Sequence, residues 1–226
     1  MRKEEQAAVL ICIQLGIPAT LWGPSGQGKS SFVRRSVGEG LGYEVEVLRV
    51  NTMLPHHLGG SPIPNADGTA VKYVPPDWVL ELNKAPKSLV FLDDISLASH
   101  STQTAALNLM DERTIGGVKL KALAIAAANP NHVSTPRFPI DAAVSNRCAH
   151  VWVNSSGKAY REGMMNGFPA PKVPTLRDSW NRLFIAKADL VTKFLDTPEG
   201  EPYVNKQPDE INQNTLAWPS ERSWEM

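Results

Sequence analysis

A glycine-rich run, Gly23-Pro24-Ser25-Gly26-Gln27-Gly28-Lys29-Ser30, constrains this 226-residue chain more than any other stretch. It completes the pattern G-x-x-x-x-G-K-[ST], which cradles phosphate oxygens. Glycine lacks a Cβ, so the backbone can wrap until successive N–H groups face one anion. Lys29 adds a mobile cation, and the Ser30 hydroxyl can ligate Mg²⁺. The flanks fit: Ile17 to Trp22 reads as a short buried strand, and a helix follows the loop to about Gly38, its positive end toward the anion. The expected ligands are therefore ATP and Mg²⁺.

The remaining pattern alternates strand and helix. Glu4 to Leu15 has apolar residues at helical spacing, and Gly16 stops it. Tyr43 to Val50 is rich in β-branched residues and reads as a strand. Trp78 to Asn83 and Ser101 to Glu112 read as helices, and Thr114 to Leu123 as a hairpin around Gly116-Gly117. Ser88 to Leu92, Leu123 to Ala128 and His150 to Val153 are apolar runs of the kind found in buried parallel strands. The implied fold is α/β, a three-layer αβα P-loop NTPase sandwich with a mostly parallel sheet. Asn51 to Asp77, dense in Pro and Gly, is expected to be a long loop. Residues 1–155 form the expected core and 156–175 a Gly-, Ser- and Pro-rich linker. Residues 176–226, helical from Leu176 to Asp196, are the expected start of a C-terminal helical lid.

A second chemical signal is Leu89-Val-Phe-Leu-Asp93-Asp94, an apolar strand ending in two carboxylates. In a parallel sheet this places acid beside the phosphate loop. Asp93 would hold Mg²⁺ through water, and Asp94 would position the attacking water. Leu123-Ala-Ile-Ala-Ala-Ala-Asn129 is another buried strand with a polar end, so Asn129 is a candidate contact to the γ-phosphate or the lytic water. Pro139-Ile-Asp-Ala-Ala-Val-Ser-Asn-Arg147 precedes the strand at His150.

These motifs, in this order, resemble those of AAA+ ATPases and of their MoxR branch in particular. The match runs from about residue 5 to 155: Walker A at Gly23 to Ser30, Walker B at Leu89 to Asp94, sensor 1 at Asn129, and the arginine-finger segment at Arg147. Leu58-Gly-Gly-Ser-Pro-Ile-Pro and Gln103-Thr-Ala-Ala-Leu-Asn-Leu-Met-Asp-Glu-Arg113 look like MoxR stretches as well. The resemblance implies that Arg147 acts in trans on a neighbouring subunit within a ring, usually a hexamer. It also implies a protein substrate or a von Willebrand factor A-domain partner. Trp218-Pro-Ser-Glu-Arg222 resembles the opening of the sensor 2 helix, with Glu221 where the family usually has Pro, so Arg222 is a further candidate in cis. Asp94 stands where the family commonly has the longer Glu.

Lys+Arg and Asp+Glu are equal at 23 each, so no net charge draws the chain to nucleic acid or an anionic membrane. The charged N-terminus and the short apolar stretch from Val9 to Trp22 do not read as a signal peptide or a membrane span. Two thiols, Cys12 and Cys148, fit a reducing cytoplasm rather than a disulfide framework. A DNA-acting AAA+ motor or loader, and an ATP-gated assembly module with weak hydrolysis, remain alternative readings. Lys72-Tyr73-Val74 reads as a surface loop with Tyr73 packed down, or as a pore loop that grips a protein. His56-His57 reads as a solvated loop, Arg34-Arg35 as a solvated or subunit-facing patch, and Lys119 and Lys121 as cations facing a pore or partner.

Overall fold

A computed structural model describes residues 1–130, 140, 142–154, 157–175, 189, 192–193 and 196–198. In chain order, helix α1 (Lys3–Leu15) leads to strand β1 (Ala19–Trp22), then to α2 (Lys29–Ser31), which continues in wider π-type turns over Phe32–Glu39. Next come β2 (Glu44–Arg49), α3 (Pro55–Gly59), β3 (Ser61–Pro64), β4 (Val71–Val74), α4 (Asp77–Lys84) and β5 (Ser88–Asp93). Helix α5 (His100–Asp111) precedes the small hairpin β6 (Thr114–Ile115) and β7 (Val118–Lys119). Strand β8 (Leu123–Ala128), α6 (Ala142–Ser145), β9 (Ala149–Trp152) and α7 (Gly157–Asn166) complete the described elements.

The central sheet has five strands in the order β2-β5-β8-β1-β9, and every pairing is parallel. Side-chain alternation divides its core in two. Val90 and Leu92 of β5, with Ala124, Ala126 and Ala128 of β8, face the helices α3, α4 and α5. Leu89 and Phe91, with Leu123, Ile125 and Ala127, face α1 and the helix after the phosphate loop. Both faces are covered, which is why these strands are continuous apolar runs in the sequence. The three-layer αβα architecture is as expected, with a sheet that is parallel throughout.

Capping explains several boundaries. Gly16 ends α1 in the left-handed region (φ 70), its N–H bonded to the carbonyls of Cys12 and Ile13. The Ser99 hydroxyl caps α5 by accepting from Thr102 N–H. Glu5, buried within α1, pairs with Arg2 Nε at 2.6 Å and accepts from Asn154 N–H at 3.1 Å, tying the helix to the exit of β9. Both cysteines are buried and free, and burial pushes the Cys148 thiol up to about 12.

The Asn51 to Asp77 stretch is not the irregular loop its composition suggests. It holds α3 and an antiparallel hairpin, β3 with β4, in which Pro62 lies opposite Tyr73 and Pro64 opposite Val71. These four apolar residues share one exposed face, and Tyr73 is 58% exposed rather than packed down. Prolines are tolerated here because β3 has an unpaired edge, where a missing N–H costs nothing. His57 Nδ1 accepts from Leu54 N–H at the start of α3, and the described residues contain no metal-holding cluster. Helix α7 occupies part of the stretch expected to be a linker. The expected lid helix, with Arg222, lies almost entirely outside the described residues. Among the described residues no helix is long and apolar enough to cross a membrane.

The β6–β7 turn docks closely on the insert. Gly116 (φ 54) leaves so little room that an added Cβ would lie 2.5 Å from Pro75 N, whereas one at Gly117 (φ 76) meets nothing within 4 Å. Gly117→Ala should therefore cost only the left-handed penalty, about 1–2 kcal/mol. Gly116→Ala adds a backbone clash and should cost about 1–3 kcal/mol more. Equal urea midpoints for the two variants would contradict this packing.

Candidate functional site

Three adjacent strands, β5, β8 and β1, end on the same edge of the sheet, and the predicted groups follow directly from them. Asp93 closes β5, Asn129 follows β8, and Gly23 follows β1, its N–H bonded to Ala128 O at 3.2 Å. Neighbouring strands lie about 4.8 Å apart, so residues far separated in sequence come within side-chain reach.

The phosphate loop keeps the backbone its glycines allow. Gly26 (φ 81) and Gly28 (φ 83) are left-handed, and added Cβ atoms there would meet nothing within 4 Å. Above these two glycines the loop is open. Gly23 is required for a different reason, since its Cβ would lie 2.6 Å from Val153 O. Lys29, only 7% exposed, donates through Nζ to the carbonyls of Gly23 (2.5 Å) and Pro24 (3.0 Å) and to Asn129 Oδ1 (3.1 Å). Burial lowers its pKa, and the nearby carboxylates of Asp93 and Asp94 oppose that shift.

Ser30 Oγ donates to Asp93, 2.9 Å from Oδ2 and 3.2 Å from Oδ1. A hydroxyl against a carboxylate is a hard-oxygen pair at the mouth of the loop. It fits Mg²⁺, which needs few protein ligands and keeps several waters. Asn129 joins the loop to the acidic pair: its Oδ1 accepts from Lys29, and its Nδ2 donates to Asp94 Oδ1 at 3.5 Å. These two opposite partners fix the orientation of the amide.

Asp94 has φ 59 and ψ 39, a left-handed conformation rare outside glycine. Such strain persists only where the surroundings impose it, and it is concentrated at sites of function. It turns Asp94 out of the strand direction toward Asn129. Ser96, buried just after it, accepts from Asn129 N–H at 3.0 Å and anchors the amide from behind. Ser96 belongs to no motif in the sequence. Its one signal is a polar residue inside the apolar run Ile95-Ser-Leu-Ala98.

Arg147 is not part of this cluster. It precedes β9, at the opposite end of that strand from Val153 and the phosphate loop. There its Nε pairs with Asp111 Oδ2 at 3.0 Å and Nη1 donates to Ala143 O at 3.0 Å. Serving its own loop is thus ruled out by position. Arg222 lies outside the described residues.

A further pair went unnoticed in the sequence. Trp22, the last residue before the loop, donates from Nε1 to His150 Nδ1 at 2.8 Å. His150 Nε2 lies 2.8 Å from Ser145 O, so the ring is neutral with its proton on Nε2. Trp152 stacks on Trp22 at 5.8 Å. The loop's entry is thereby braced against the edge strand.

No protein-family model matches the chain, and no curated protein matches it. Among solved structures, a protein from Cytophaga hutchinsonii described as a "putative ATPase" superposes with a TM-score of 0.55 at 20% identity. The alignment covers 84% of this chain and 64% of that one, so the chain spans less than two thirds of its neighbour. This chain has the fold of that protein. At such identity the likeness concerns architecture, and the chemistry rests on the contacts above.

Burial lowers the His150 pKa from its usual 6.5. The unfolded chain therefore takes up this proton at higher pH than the folded one. The stabilisation is complete above about 6.5 and fades as pH falls toward the folded value. Urea midpoints between pH 7.5 and 5 should fall less steeply for His150→Gln than for the parent protein. Parallel slopes would show that the ring is not held neutral.

Proposed function

We propose that this chain is an ATPase that binds Mg²⁺–ATP and hydrolyses it. The observation that carries this reading is the contact set Lys29–Asn129–Asp94 with Ser30–Asp93, assembled from three neighbouring strand ends. The loop amides around Gly26 to Lys29 take the phosphates, and Lys29 exchanges its carbonyl partners for phosphate oxygens. Ser30 and Asp93 hold the metal, which supplies charge neutralisation on the phosphates. Asp94 orients the attacking water, and Asn129, bonded to both Lys29 and Asp94, reports whether the γ-phosphate is present.

The finer reading is a MoxR-type AAA+ ATPase working as a ring, with Arg147 completing the site of a neighbouring copy. The position of Arg147 away from its own loop supports action in trans. A protein partner, such as a von Willebrand factor A-domain protein, suits the balanced charge and the exposed apolar face of Pro62, Pro64, Val71 and Tyr73 better than DNA does. A cytoplasmic setting suits the two buried free thiols. The shorter carboxylate at Asp94 gives some support to an ATP-gated assembly module that turns over slowly.

Losing the charge-assisted bonds of Lys29 removes about 1.5–3 kcal/mol, so Lys29→Ala should bind ATP roughly ten- to a hundredfold more weakly. Calorimetric titration of the purified protein checks this, and equal affinity for the two proteins would sink the nucleotide reading. Arg147→Ala and Asp93→Asn should each abolish turnover, and mixing the two should partly restore it. Mixtures as inactive as their components would exclude a shared site.

A further inference from the structure

A cleft of about 380 Å³ opens at the N-terminal ends of β2, β5 and β8, beside the C-terminal end of α1. This is the end of the sheet opposite Lys29. Three cations from separate elements line it: Lys87 before β5, Arg113 before β6 and Lys121 before β8. Among the described residues no aspartate or glutamate lines it.

Among the described residues each cation is held by neutral groups. Lys87 Nζ lies 5.7 Å from the centre of the Tyr43 ring, Arg113 Nη2 donates to Gly16 O, and Lys121 Nζ donates to Asn83 O at 3.2 Å. Among the described residues none of the three is ion-paired, whereas nearby Lys84 pairs with Glu81 at 2.8 Å.

Arg113 adds an independent observation. Its φ is 52, in the left-handed region, although it is not glycine. That conformation costs about 1–2 kcal/mol for a residue with a Cβ. The backbone is fixed there, with Arg113 N–H bonded to Asn108 O and its carbonyl accepting from Leu120 N–H at 2.7 Å. Glycine would sit at this turn without strain, yet the position carries a guanidinium aimed beneath the sheet. The Gly16 carbonyl, at the negative end of α1, explains one of its five donors.

We propose that this cleft binds a small, multiply charged phosphate-bearing anion, separate from the nucleotide at Lys29. The planar fork of Arg113 with two flanking ammonium groups suits phosphate oxygens. The volume falls at the lower end of the range for small-molecule sites, about 300–1,000 Å³. The apolar wall of Ile13, Leu15 and Pro86 leaves room for a compact non-polar portion of the ligand.

The test uses inorganic pyrophosphate and Lys29→Ala protein, in which the phosphate loop is weakened, and the changes at Lys87 and Lys121 then separate binding in this cleft from any residual binding at the loop amides. Calorimetric titration of that protein should show saturable binding that weakens with added salt. Adding Lys87→Gln and Lys121→Gln, both at exposed positions, should weaken binding about tenfold or more. Arg113→Gly relieves the backbone strain while removing the guanidinium, so it should lose binding and keep its helix content by circular dichroism. Absence of binding in Lys29→Ala protein, or affinity within about twofold after the two lysine changes, overturns the proposal.

Discussion

The ammonium of Lys29 is buried at the point where three strand ends meet, and an unpartnered cation there would cost several kcal/mol. It is tolerated because two loop carbonyls and the Asn129 amide satisfy its three donors, with Asp93 and Asp94 close enough to favour its charge. That arrangement needs β5, β8 and β1 side by side, parallel and in register. A slip of one residue would turn Asp93 or Asn129 to the opposite face. The architecture of the sheet and the placement of the site are therefore one constraint.

Much of this was legible in the sequence because the groups stand at the ends of doubly buried strands. Such strands are uninterrupted apolar runs, and the first polar residue after each run marks the sheet edge: Asp93 after Leu92, Asn129 after Ala128. The hairpin β3–β4 was hidden for the opposite reason. Its residues are exposed, so no burial rhythm marks it, and two prolines suggest a loop. Helix α7 was hidden by composition, its glycines and polar residues resembling a linker. Contacts such as Trp22–His150 or Ser96–Asn129 leave no local pattern, because they join residues 128 and 33 positions apart.

Asp94 carries both a chemical and a conformational burden. The carboxylate is one methylene shorter than glutamate, and the left-handed backbone compensates by directing it toward Asn129. Aspartate tolerates this region better than most residues, because its short polar side chain can bond locally. Backbone geometry and side-chain length together bring this carboxylate to the Asn129 amide.

The border strands of the sheet differ in how they discourage unwanted pairing. Strand β2 presents Glu44 and Glu46 on one side, where burial, with the Glu44 charge adding to it, raises the Glu46 pKa, and it finishes with exposed Arg49. Mutual repulsion along that margin is a standing penalty, yet it deters a second molecule from adding its own strand there. Strand β9 is merely short, at four residues. Backbone pairing of a second strand onto the central sheet is therefore disfavoured at both of its margins.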